Sequence, residues 1–331
     1  MEDLPLKEPE TGSDENTFVR STPRLKKFDD PYQTLKGEER GYVDLTNLET
    51  LWINTGTLCN IACENCYIES SPRNDRLAYI SHAEALAYLD EIERNALATR
   101  EIGLTGGEPF MNRDTIKIIE TSLERGFQVI VLTNAMRPMM RFQEQLLDLN
   151  HRFGSKMTLR VSVDHYKPDL HEEERGPNTW KPMLDGLVWL SKNAFTIDIA
   201  GRTRWGENEA DLRDGYARFF KDHGIAIDAQ SPKQLVLFPE MATDVAVPEI
   251  TTKCWDILGI NPKDIMCATS RMIVKRKGAE KPAVVACTLL PYDEKFEYAS
   301  TLSESTKRVQ LNHPFCSKFC VLGGGACSVK E

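Results

Sequence analysis

From Leu51 onward, short runs of aliphatic and β-branched residues alternate with amphipathic stretches six times over. The runs are Leu51–Asn54, Glu101–Leu104, Gln128–Leu132, Thr158–Val163, Thr196–Ala200 and Gln234–Phe238. Such alternation predicts parallel strands, each followed by a helix that crosses back over the sheet. The first helix is marked by Ser81 and Glu84, spaced as a capping box, with Leu86, Leu89 and Ile92 following at helical intervals. Asp114 precedes a second, with Ile118, Ile119 and Leu123 facing inward and Gly126 as its stop. Later helices are expected near Phe142–Phe153, Thr179–Asn193 and Glu209–His223. Six βα units fall short of a closed eight-stranded barrel. They predict an α/β fold, a partial (β/α)6 TIM-like barrel over residues 49–241.

Both flanks lack this rhythm. Residues 1–48 carry Pro, Glu, Asp, Lys and Gly with few large apolar side chains, and are read as a mobile leader. Residues 242–331 hold six cysteines, a basic run at Lys275–Lys277 and a glycine triplet at Gly323–Gly325. A region of that size without helical periodicity usually needs a metal or disulfide staple, so it is read as a small cysteine-rich domain. Composition narrows the class further. Hydrophobic residues make up 41% and charged residues 27% of the 331, as in soluble globular proteins. No apolar run approaches the ~18–20 residues of a membrane span, and Met1–Asn16 is acidic and polar, unlike a secretory signal. The formal charge of −9 leaves no surplus of Lys and Arg to neutralise phosphates. A cytoplasmic protein with neither membrane nor nucleic-acid partners is expected.

The nine cysteines form two groups with nothing between Cys66 and Cys254. An odd count without a secretory signal argues for metal or redox chemistry over disulfides. Cys59, Cys63 and Cys66 fall within eight residues directly after the first strand. Loops at the carboxyl ends of parallel strands form the active face of such folds. Three thiolates on one loop suit an iron–sulfur cluster with one iron left open. Structural zinc with a fourth ligand from elsewhere is the alternative. Thr105-Gly106-Gly107-Glu108-Pro109 follows the second strand on the same face. Its glycines permit close backbone approach to a ligand, and Glu108 offers a carboxylate to a cationic amine.

Together these two loops resemble those of the radical S-adenosylmethionine (radical SAM) superfamily, over roughly residues 49–241. The resemblance implies a 4Fe–4S cluster on Cys59, Cys63 and Cys66, its open iron chelated by the amino and carboxylate groups of SAM. It makes Gly106-Gly107-Glu108-Pro109 the methionine-amine motif. It further implies reductive cleavage of SAM to methionine and a 5′-deoxyadenosyl radical that abstracts hydrogen from a substrate, fed by an electron donor such as flavodoxin or ferredoxin. Many members carry an aromatic residue just before the third cysteine; here that position is Asn65, and Tyr67 follows the cysteine. Asn134 after the third strand, and Ser162, Asp164 and Arg175-Gly176 after the fourth, are similar to the family's ribose, adenine and carboxylate contacts, with capping or turn roles as the alternative. Arg202 and Glu240 lie at the same face, Arg202 being read as a surface guanidinium.

The second cysteine group resembles the SPASM or shorter twitch extensions of these enzymes. The resemblance implies one auxiliary 4Fe–4S cluster ligated mainly by Cys267, Cys287, Cys316, Cys320 and Cys327, with Cys254 less readily placed and zinc as the alternative. A radical SAM enzyme acting on a small molecule is the expected function. Peptide or protein modification, or a non-enzymatic iron–sulfur or zinc protein, are the alternatives.

Overall fold

A computed structural model describes residues 26–240 and 246–325. Seven parallel strands form its centre: β1 (Thr50–Asn54), β2 (Glu101–Thr105), β3 (Gln128–Thr133), β4 (Met157–Ser162), β5 (Thr196–Arg202), β6 (Leu235–Phe238) and β7 (Ser270–Val274). The first six lie side by side in chain order, and β7 returns to pair with the outer side of β1. Beyond β7, an antiparallel pair, β8 (Ala283–Val285) and β9 (Glu297–Ala299), completes one sheet of nine strands. Because β6 and β9 are its two ends, the sheet stays open. The α/β, partial-barrel expectation is met, with three further strands donated from the cysteine-rich region, one parallel and two antiparallel.

Alternation along each strand divides the interior into two cores, since successive side chains point to opposite faces. Leu51, Ile53, Val129 and Val131 pack under helices, whereas Trp52, Ile130 and Met272 face the other way into a second core built with the C-terminal region. The helices are α1 (His82–Arg94), α2 (Thr115–Glu124), α3 (Gln143–Phe153), α4 (Pro168–Arg175), α5 (Trp180–Lys192) and α6 (Glu209–His223). Ser81 and Glu84 do form a capping box. Asp114 serves differently from a side-chain cap: its carboxylate accepts the His82 backbone N–H at 2.9 Å and so ties α1 to the start of α2.

Residues 1–25 of the expected leader lie outside the described residues. The rest of it, 26–48, is packed into the fold. Tyr42–Val43 pairs with Val309–Gln310, and the buried Arg40 guanidinium meets Glu249 at 2.7 Å. Polar composition concealed this because the anchoring groups are a backbone ladder and one buried ion pair. The C-terminal region is knitted by a second buried arginine: Arg271 donates to the carbonyls of Cys267, Ser305 and Lys307 at 2.7–3.0 Å. No helix among the described residues is long and apolar enough to cross a membrane.

Candidate active site

Every strand from β1 to β6 sends its carboxyl end to one face, where two adjoining chambers open. The first, about 660 Å³ of space continuous with solvent, is lined by Cys59, Cys63, Cys66, Gly106, Gly107 and Asn134, among others. Ser162, Arg175 and Arg202 line it as well. Of the residues singled out from the sequence for the first cysteine loop and its ligand, these line one surface, whereas Glu108, Pro109, Asp164 and Gly176 do not.

The cysteine loop rests on the glycine loop. Gly107 N–H donates to the Gly56 carbonyl at 2.8 Å, and Glu108 N–H to the Leu58 carbonyl at 3.2 Å. A β-carbon at Gly107 would lie 2.2 Å from the Leu58 carbonyl oxygen, a backbone atom one residue before Cys59. Gly106 holds φ +141°, and a β-carbon there would meet the Gly56 carbonyl at 2.5 Å. Both glycines thus let two loops touch, and what they bring close to the chamber is the cysteine loop itself.

Glu108 is buried and does not line the chamber. Its carboxylate accepts from Asn134 N–H at 2.8 Å, Thr133 Oγ1 at 2.9 Å and Phe110 N–H at 3.2 Å. Burial pushes its pKa up to about 7 against these donors. The carboxyl therefore fixes the chain after β3, so that Asn134 reaches Asn60 Oδ1 at 2.9 Å and lies 4.0 Å from Cys59 Sγ. Arg175 binds Asp164 through Nε at 2.6 Å and Nη2 at 3.3 Å. Burial alone would raise Asp164, but the Arg175 and Arg202 guanidiniums hold it below its ordinary value.

Arg202 differs from its surface reading. Its side chain is 17% exposed, lines both chambers, and donates to the Asn65 carbonyl at 2.9 Å. Glu240 lies 3.8 Å from it. Arg175, expected in a short loop, ends α4, a helix hidden in the sequence because Pro168–Arg175 contains a single aliphatic residue, Leu170. Glu174 had no spacing signal at all, yet it is buried against the cysteine loop. The second chamber continues inward from the first, sharing Tyr67, Leu132, Ser162, Arg175 and Arg202, and adds Phe238, Pro239, Leu289 and Phe319 as an apolar wall.

Burial dominates the acidity of the first-loop thiols, with the Arg175 guanidinium acting against it. Burial pushes Cys59 up to about 12 and Cys63 to about 11, the direction a bound cation would reverse. In the C-terminal region, Cys267, Cys287, Cys316 and Cys320 line one small apolar cavity with Ile265, Met266, Phe296, Val309 and Leu311. Cys316 and Cys320 sit on a π-helical turn, Cys316–Val321. Burial pushes Cys267 to about 11 and Cys316 well above its usual value. Cys254 is apart from this cavity, receiving the Thr251 N–H at 3.3 Å, and Cys327 lies outside the described residues. Among the described residues no three His, Cys, Asp or Glu side chains are grouped for a single metal ion.

Residues 53–212 match the radical SAM superfamily. That region is a radical SAM domain. Its radical SAM region is 31% identical over 143 residues to the antilisterial bacteriocin subtilosin biosynthesis protein AlbA of Bacillus subtilis, covering 43% of this chain and 30% of AlbA. It is 31% identical over 144 residues to GTP 3′,8-cyclase of Tolumonas auensis, covering 41% of this chain and 39% of that protein. The match thus spans well under half the length of either relative. Among solved structures, the radical SAM fold is shared with anSMEcpe with bound AdoMet (TM-score 0.55, 13% identity, 80% of this chain and 82% of that one). It is also shared with Streptococcus suis SuiB bound to precursor peptide SuiA (TM-score 0.55, 12% identity, 80% and 64%).

Proposed function

We propose that the chain is a radical SAM enzyme whose first chamber holds a 4Fe–4S cluster on Cys59, Cys63 and Cys66 together with SAM, and whose second chamber holds the substrate. The observation that carries this is the convergence of three buried or half-buried thiols and the Gly106-Gly107 loop on one face of a parallel sheet. When bound, the cluster supplies the electron that cleaves SAM to methionine and a 5′-deoxyadenosyl radical for hydrogen abstraction. The chain's own groups hold and orient. Asn134 and Ser162 offer hydrogen bonds to SAM, and Asp164 fixes the Arg175 guanidinium beside it. Leu132 and Tyr67, at the junction of the chambers, face the place where the two ligands would meet. Incubation with SAM and dithionite should yield 5′-deoxyadenosine and methionine in equal amounts; absence of both from iron-loaded protein overturns the reading.

Glu108 acts on SAM by fixing Asn134 and the glycine loop. Replacing it by Gln would turn an amide N–H₂ toward a backbone N–H, since both carboxylate oxygens accept from backbone donors. Glu108→Gln should weaken SAM binding by ~10- to 100-fold, the size of a lost charge-assisted hydrogen bond, with iron content unchanged. Titration calorimetry showing undiminished affinity would leave Glu108 a purely structural residue.

Of the five thiols expected to ligate an auxiliary cluster, Cys267, Cys287, Cys316 and Cys320 share one cavity and would hold it, and Cys327 lies outside the described residues. Four ligands fill the coordination of a four-iron cluster, so its role is redox or anchoring by shape rather than chelation at an open iron. Electrons would come from a flavodoxin or ferredoxin. The apolar wall and arginine rim of the second chamber accommodate a small molecule. The likeness to AlbA, and to SuiB bound to a precursor peptide, favours a peptide substrate as the second reading.

A further inference from the structure

Between the second and third cysteines of the first loop, the chain makes contacts that neither a metal nor a ligand explains. Glu174, buried at the end of α4, takes hold of Asn65 twice: Oε1 accepts the Asn65 backbone N–H at 3.0 Å, and Oε2 accepts Nδ2 at 2.9 Å. The Glu174 carbonyl accepts the Glu64 N–H at 2.8 Å. From the other side, Arg202 Nη2 donates to the Asn65 carbonyl at 2.9 Å. Arg204 Nη1 closes the arrangement on Glu174 Oε2 at 2.6 Å. Both backbone polar groups of Asn65 and its side-chain amide are thus engaged, in the two-residue stretch between Cys63 and Cys66.

From this geometry we infer that Glu174 and Asn65 form a latch that sets the spacing of the Cys63 and Cys66 thiols before any cluster is present. Glu174 is a positioning residue: it reaches the cluster only through the backbone it holds. The physical reason for a buried carboxylate here is that a cysteine loop has few apolar contacts of its own, so its shape must come from polar groups on a rigid element. Partners outside the ligand set typically alter metal affinity by about 10–100-fold. The inference rests on Cys59, Cys63 and Cys66 holding a four-iron cluster.

The test follows iron and spectra. Anaerobically reconstituted protein is challenged with an iron chelator, and the change that SAM causes in the electron paramagnetic resonance signal of the reduced protein is recorded. Glu174→Gln keeps one acceptor but turns an amide N–H₂ toward Asn65 Nδ2. It should release iron from the SAM-responsive cluster ~10- to 100-fold faster, with the remaining iron unaffected. Asn65→Ala, which spares the backbone bonds and the Arg204 pair, should shift in the same direction by less. The double variant Asn65→Asp/Glu174→Gln reverses donor and acceptor between the two side chains and should recover most of the retention. Iron held as firmly in Glu174→Gln or in Asn65→Ala as in the unaltered protein overturns the latch, as does a folded double variant without recovery. These outcomes are separable from failure of the underlying assignment. If the Cys59/Cys63/Cys66→Ala variant keeps all its iron and its SAM-responsive signal, the assignment is wrong; if it loses them while Glu174→Gln does not, only the latch is.

Discussion

Alanine at Cys59, Cys63 and Cys66 together should abolish formation of 5′-deoxyadenosine and remove about half of the seven or eight irons expected for two four-iron clusters. The fold should survive, because the loop is held by groups other than its thiols. Cys59 N–H donates to the Ser71 carbonyl at 3.1 Å, and the loop leans on Gly107 and Glu174. With pKa values raised this far the thiols are neutral and pack as small apolar groups, so a cluster-free triple variant should lose only their modest packing and unfold slightly earlier than cluster-free native protein. Iron analysis, circular dichroism and product assay on one preparation would check all three statements. A folded triple variant that has lost all its iron would mean that the C-terminal thiols hold no cluster of their own.

The complementary substitution should behave differently. Cys287→Ala with Cys316→Ala is expected to remove the other half of the iron while SAM is still cleaved without substrate, because the first chamber is lined by none of the four C-terminal thiols. Here stability should fall. Both residues lie in the second core beside Met266, Phe296 and Leu311, and metal binding at such a site is also folding energy. Limited proteolysis should locate the weakening between residues 260 and 325, and calorimetry should show a lower transition than in cluster-loaded native protein. Full iron retention in the folded double variant would dispose of the four-thiol site.

The strands of the barrel were legible because buried parallel strands are nearly continuous aliphatic runs, as in Val129–Leu132 and Leu235–Leu237. The cysteine and glycine loops were legible because chemistry fixes their spacing. What the sequence concealed follows from the same logic. β7 is a five-residue strand whose second residue is Arg271, set in a region without periodicity, and its pairing with β1 and β8 defines it. The packing of residues 26–48 depends on Arg40 meeting Glu249, more than two hundred positions away. Glu174 sits in a polar run, His171–Arg175, where one carboxylate looks like its neighbours. Arg202 looked like a surface group because burial of a guanidinium depends on partners from other loops, here Asn65 and Asp164. Glu108 was read as facing a ligand, and nothing in the sequence signals that its oxygens also accept from Phe110, Thr133 and Asn134.

The return of β7 to the outer side of β1 has a consequence for how the chain is made. During synthesis, the first strand emerges more than two hundred residues ahead of the partner that flanks it. Until Ser270–Val274 follows, one row of β1 backbone N–H and C=O groups faces outward beside the aliphatic Leu51 and Ile53, a template for pairing with another chain. Contacts of such long sequence separation form late and slowly. A fragment ending near residue 241 would carry the first cysteine loop and the glycine loop and still present that open edge. It should associate and precipitate rather than persist as a minimal enzyme, and chaperone dependence of the full chain should be greatest in the interval before residue 274 leaves the ribosome.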